Sequence, residues 1–256
     1  MYPSFFLAHG LPTIVTEPHG YPRFLRALGA QLPKPEGIVV FSSYWQSEVQ
    51  TIGAASEPET LHDFFGFPEE LYGISYPAKG NILLAMGIRR LLDIEGIACA
   101  LDDSRGLDHG VWTLLSLMHP EADVPVVHLS VNPLLVPEEQ YRIGRALQAL
   151  RSKGIMIVGS GGTVHNLGTL HWQDDAAELW AKQFDAWLYD RITVWDSDAL
   201  FDYERRAPHA SLAVPTAEHF APLLIAMGAA DRSRRAKLLY QKYQYGTLSL
   251  GAWMFS

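Results

Sequence analysis

The segment Gly154–Asn166, GIMIVGSGGTVHN, constrains the fold of this 256-residue chain more than any other stretch. Ile155–Val158 is an apolar run, rich in β-branched residues and too short for a helix, and Gly159–Gly162 end it abruptly. That pattern predicts a strand buried on both faces, as in a parallel or mixed sheet with helices on either side. The chain then leaves through Gly159, Ser160, Gly161 and Gly162 and arrives at His165 and Asn166. Ligands of open α/β sheets bind in the crevice beyond the carboxyl ends of strands, so His165 is a candidate for chemistry. The glycines are no P-loop, because no Gly-Lys-Ser/Thr follows. Ser160 lacks the Gly-x-Ser-x-Gly elbow of a nucleophile.

The remaining chain alternates in the same manner. Phe5–Ala8, Gly37–Phe41, Gln50–Ala54, Ile97–Leu101, Val124–Val131 and Gly246–Phe255 read as strands. Residues 21–32, 82–92, 111–118, 138–153, 179–191 and 218–227 have helical spacing, the last with the Thr216 hydroxyl as N-cap. The expected fold is α/β: a single domain, residues 1–256, with a mixed, mainly parallel central sheet flanked by helices. An apolar content of 48% is ample for its core. The net charge of −8 argues against a nucleic-acid or anionic-membrane partner, and no run approaches a membrane span. The start MYPSFFLAHG has no secretory pattern, which makes a cytoplasmic protein the expectation. The one cysteine, Cys99, lies in an apolar setting and is expected to be a buried thiol in a reducing compartment. Arg232–Lys237 is expected to be solvated surface.

Ten histidines are present and do not weigh equally. His9, His62, His109 and His165 each lie in or beside a turn rich in Gly or Pro, and His219 opens a helix directly after Glu218. Imidazole is the commonest metal ligand, and open catalytic sites use three protein ligands. Neither HExxH nor zinc-finger spacing occurs, so such a site has to assemble from distant segments. His128, between Val127 and Leu129, reads instead as a hydrogen-bonded core residue. The irregular stretch between Glu57 and Gly80, with aromatics interleaved, reads as a loop that lines something, and its segment Phe64–Tyr76 as able to exclude water and hold a ring.

Several short strings occur in order: Ala8-His9-Gly10-x-Pro12, His62-Asp63-Phe64-x-Gly66-Phe67-Pro68, Tyr76-Pro77-Ala78-x-Gly80, Asp108-His109-Gly110-x-Trp112, Val164-His165-Asn166-Leu167 and Glu218-His219-x-x-Pro222-Leu223. Together they resemble the class III extradiol ring-cleaving dioxygenases of the 4,5-DOPA dioxygenase group, with which protocatechuate 4,5-dioxygenase catalytic subunits share a fold. The resemblance implies a non-haem dioxygenase acting on a catechol-type aromatic with O₂, and a divalent metal, Fe(II) for catalysis, with Zn(II) able to take its place on purification. It also implies His9, His62 and His219 as metal ligands and His165 as either a fourth ligand or the acid/base. A closed four-ligand site would obstruct substrate, so acid/base is the expected role of His165. His109 is implied as a catalytic and substrate-facing residue. Tyr44, expected to meet substrate, stands where many relatives have the histidine of a Ser-Ala-His-Trp string, and Leu11 where they often have serine. Glu218 is the second candidate for the place of His219, since the common ferrous triad holds one carboxylate. Two other readings share these features: a non-enzymatic binding or redox-signalling protein of the same fold, similar to the mediator of cell motility group, and a metal hydrolase. The histidine set favours the enzyme.

Overall fold

The computed structural model describes residues 1–173 and 176–256. In chain order the elements are β1 (Ser4–Ala8), α1 (Tyr21–Gln31), β2 (Gly37–Gln46), β3 (Gln50–Gly53), α2 (Ile82–Ile94), β4 (Cys99–Asp102), α3 (His109–Met118), β5 (Val126–Val131), α4 (Pro137–Leu147), β6 (Ile155–Gly161), α5 (Leu179–Thr193), α6 (Ser197–Phe201), α7 (Tyr203–Arg206), α8 (Ala210–Ala213), α9 (Ala221–Gly228), β7 (Ala236–Gln244) and β8 (Leu248–Phe255). The eight strands form one sheet in the order β4-β3-β5-β2-β6-β1-β8-β7. Its centre, β5-β2-β6-β1, is wholly parallel, and β3 and β8 join it antiparallel on either side. The carboxyl ends of β1, β2 and β6 therefore share one edge, with Ala8 level with Gly161 and Ser42 level with Ser160.

Burial on both faces follows from the period-two alternation of strands. Phe5, Leu7, Ile38, Val40, Met156 and Val158 pack under α1 and α3. Val39, Phe41, Ile155 and Ile157 meet α2, α4 and α9 on the opposite face. All eight residues of α9 are buried, as its all-round apolar sequence APLLIAMG requires. It lies against β6 and α4 at glycines: a Cβ on Gly159 would stand 2.1 Å from the Pro222 oxygen, and one on Gly144 1.9 Å from the Ile225 oxygen. Arg151 closes the far end, buried, with Nε donating to the Tyr2 carbonyl at 2.7 Å and Nη1 to the Ala229 carbonyl at 2.8 Å. No helix among the described residues is long and apolar enough to cross a membrane.

The structure departs from the sequence reading at several points. The helical stretch 138–153 divides into α4 and a 3₁₀ segment, Gln148–Lys153, ended by Gly154 at φ 77°. The stretch 218–227 begins with a 3₁₀ turn, Ala217–His219, before α9. There the Thr216 hydroxyl makes no cap; it donates to Glu218 Oε1 at 2.6 Å. Cys99 is partly exposed, not buried, because β4 is an edge strand. Arg232–Arg235 and Lys237 are exposed as expected, and the strand that begins there, β7, is an edge the sequence reading did not include, with Lys237 and Lys242 exposed and its Tyr side chains partly covered.

Candidate metal centre

Two of the turns and the helix start singled out in the sequence deliver histidines to one place. His9 follows β1, His165 follows β6, and His219 ends the 3₁₀ turn before α9. One ring nitrogen of each lies within 4.8 Å of the others. The His165 and His219 rings stack at 3.5 Å between centroids, and His9 Nε2 is 3.0 Å from His219 Nδ1. His9 Nδ1 lies 2.8 Å from the Gly10 carbonyl. A carbonyl only accepts, so Nδ1 carries the proton and Nε2 keeps its lone pair, the arrangement that orients a metal-binding imidazole.

The glycine-rich exit of β6 is anchored. Gly162 N–H donates to the His219 carbonyl at 2.8 Å, and His165 N–H to the Ala213 carbonyl at 3.0 Å. Asn166 Nδ2 donates to the Leu212 carbonyl at 2.9 Å, while its Oδ1 accepts from Gly168 N–H. These glycines serve close approach: a Cβ on Gly161 would stand 2.2 Å from the His219 oxygen.

The electrostatics suit a cation. Burial, and then the neighbouring His219 and His165, push His9 well below the usual imidazole range; burial followed by His165 and His109 does the same to His219. Burial is the main cause that lowers His165 to about 4. All three are therefore neutral at physiological pH and hold free lone pairs. His165 Nε2 is buried without a hydrogen-bond partner, and a buried polar atom left orphaned calls for one. The donor set fits a divalent transition metal.

His62 is not brought to this cluster. Its Nε2 donates to the Ile74 carbonyl at 3.0 Å, and its ring lies among Phe64, Tyr72 and Trp112. The loop carrying His62 turns its ring toward an aromatic nest, apart from the three clustered histidines. Its neighbour Asp63, given no role from the sequence, reaches inward instead: Oδ1 accepts from His109 N–H at 3.0 Å and lies 2.7 Å from His109 Nδ1. His109, the first residue of α3, has its ring 6.3 Å from that of His9. Tyr44 covers it at 3.8 Å, with its hydroxyl 3.3 Å from His9 Nδ1. Burial and then the charges of Asp108, Asp63 and Glu218 raise the Tyr44 phenol, which stays protonated. Glu218 is 3.6 Å from His219 Nε2, on the cluster's margin. Phe64, from the aromatic loop, meets His109 edge-on at 5.5 Å.

Beneath this wall lies a second acid that sequence reasoning missed. Asp108 is fully buried; its Oδ1 accepts from Ser42 Oγ at 2.6 Å, and its Oδ2 has no hydrogen-bond partner. Burial raises its carboxyl to about 6. Asp108 stands in the Asp108-His109-Gly110-x-Trp112 string but was given no role there. His128 is buried as expected, against Trp45 at 4.6 Å, but its Nε2 lacks the hydrogen bond expected of a core histidine.

The chain matches known proteins over nearly its whole length. Residues 8–254 match the family described as the catalytic LigB subunit of aromatic ring-opening dioxygenase. The chain is 38% identical to a 4,5-DOPA dioxygenase extradiol of Portulaca grandiflora, over 99% of this chain and 95% of that protein. It is also 38% identical to one from Escherichia coli K12, over 97% and 92%. The crystal structure of an uncharacterized protein from Escherichia coli K12 superposes with a TM-score of 0.86 at 33% identity, covering both chains completely. With a match that spans nearly all of it, this chain belongs to the LigB family of aromatic ring-opening dioxygenase catalytic subunits.

Proposed function

We propose that the chain holds one divalent metal through His9, His165 and His219 and opens a catechol-type ring beside its diol. The observation that carries this reading is the meeting of three buried, neutral imidazoles, one with a partnerless nitrogen, at the carboxyl edge of a parallel sheet. The names of the relatives make a catechol bearing an amino-acid side chain, such as DOPA, the first substrate to test. Iron(II) is the metal we assign to turnover, with zinc a tighter-binding competitor at imidazole sites. When bound, the metal supplies the electronic coupling between a singlet ring and triplet dioxygen.

The protein's own groups bind, orient and move protons. His109 takes the proton of a catechol hydroxyl and returns one as the ring opens. Tyr44 and Phe64, ring against ring with His109, form an aromatic wall for a planar substrate. With His62 outside the cluster, an open three-ligand site draws its third donor from His165.

The test is iron-loaded protein in an oxygen electrode with a catechol panel and mass analysis of the product. We expect one O₂ consumed per ring, both oxygen atoms in the product, and cleavage adjacent to the diol. Cleavage between the hydroxyls, or no uptake with iron verified in place, contradicts the proposal. His165→Gln decides the role of that residue and should lose metal. Retained metal with kcat lowered about 10²–10⁴-fold would make His165 the acid/base instead.

A further inference from the structure

Asp63 is the acidic group that touches the proposed proton-transfer residue, and it does so twice with one oxygen. We infer that Asp63 is the positioning residue of this site, holding His109 as the Nδ1–H tautomer so that Nε2 is left bare to take a proton from a substrate hydroxyl. The inference rests on the assignment of His109 as acid/base.

The tautomer follows from the geometry. Asp63 Oδ1 lies 3.0 Å from the His109 backbone nitrogen and 2.7 Å from Nδ1. A backbone N–H only donates, and an ionised carboxylate only accepts, so the ring must supply the proton at Nδ1. The carboxyl is ionised at neutral pH: burial raises it, but the hydrogen bonds it accepts from the His109 ring and backbone outweigh that and hold it below the usual carboxylate range. Ring rotation is blocked on two further sides, by Tyr44 at 3.8 Å and Phe64 at 5.5 Å. The backbone contact fixes the first turn of α3 as well, where a negative charge suits the helix dipole.

The proton transfer balances without any further reagent. The catechol O–H bond breaks, its electron pair stays on oxygen, and its proton moves to His109 Nε2. The resulting imidazolium sits beside the Asp63 carboxylate, which stays ionised and offsets the new charge. Return of the proton restores the starting tautomer.

A competing role for Asp63 is purely mechanical: pinning its loop to the start of α3. Nitrogen-15 NMR of the metal-free protein separates the two, with the His109 signals assigned by His109→Gln. Wild type should show Nδ1 protonated and Nε2 bare, and Asp63→Ala should shift toward Nε2–H, the form imidazole prefers in water. In iron-loaded enzyme, Asp63→Ala should lower kcat about 10²-fold with KM changed less than about threefold, as expected when a general base loses its alignment. Asp63→Asn keeps an acceptor for the backbone N–H but no charge; it should melt like wild type and still lose most of that kcat. A wild-type ring protonated at Nε2, an Ala variant that keeps the Nδ1–H form, or full kcat in the Asn variant would each overturn the inference. Failure of wild type to turn over any catechol would instead remove the parent reading, leaving the NMR arm to decide the tautomer.

Discussion

Gly161→Ala tests whether the glycine exit of β6 sets the metal centre. A Cβ at this position would stand 2.2 Å from the His219 carbonyl oxygen and 3.0 Å from the Phe6 ring. Reaching ordinary van der Waals separation demands that the carbonyl retreat by about 1 Å, since Phe6 is fully buried and cannot yield. The same carbonyl accepts the Gly162 N–H at 2.8 Å, so that bond lengthens too. Metal–ligand distances tolerate only about 0.2 Å, several times less than this displacement. We expect metal affinity to fall about 10²-fold, or roughly 3 kcal/mol, as the ligand leaves its place. Overpacking should cost about 1–3 kcal/mol of fold stability. The assay is metal titration against a chelator of known affinity, paired with thermal melting in chelator. Gly87→Ala is the control, because a Cβ there meets nothing within 4 Å. Wild-type affinity in Gly161→Ala, in protein that melts as wild type does, would refute the reasoning.

Other consequences follow from single groups. Asp108 has a folded-state pKa of about 6, above its ordinary 3.8, so the folded state holds its proton more tightly than the unfolded chain does. Stability should therefore fall as pH rises from about 4 to about 6, by up to about 3 kcal/mol, and Asp108→Asn should abolish that difference in urea melts; an unchanged pH profile contradicts it. Arg151→Ala strands the carbonyls of Tyr2 and Ala229 and should lower stability by about 2–4 kcal/mol in denaturant unfolding, where a change under about 0.5 kcal/mol would show the clamp to be idle. Tyr44→Phe removes a hydroxyl 3.3 Å from His9 Nδ1 but keeps the ring on His109, so metal content should hold while KM shifts; loss of metal would make Tyr44 a ligand.

Much of the fold was legible because its central strands are short, β-branched and stopped by glycine, a pattern that only two-sided burial explains. β7 escaped notice for the converse reason. An edge strand with Lys237 and Lys242 exposed and Tyr240 partly covered carries no strong apolar signal. At the site, His9, His165 and His219 could be nominated as residues beyond strand ends or at a helix start. Whether they met depended on the strand order β2-β6-β1, which no local pattern encodes. His62 and Asp63 are adjacent in the chain, and the sequence favours the imidazole as the functional group. The path of their loop sets a partly buried His62 against the Ile74 carbonyl and turns Asp63 to His109. Asp108 was illegible because its partner Ser42 is 66 residues away.

The most direct test of the account is metal stoichiometry in four single variants, His9→Ala, His62→Ala, His165→Ala and His219→Ala, at limiting iron(II) under anaerobic conditions. His62→Ala should bind about one ion per chain, as wild type does, while the other three lose most of it, as expected when an open site of three protein ligands is broken. Loss of metal in His62→Ala together with full retention in His165→Ala would contradict it.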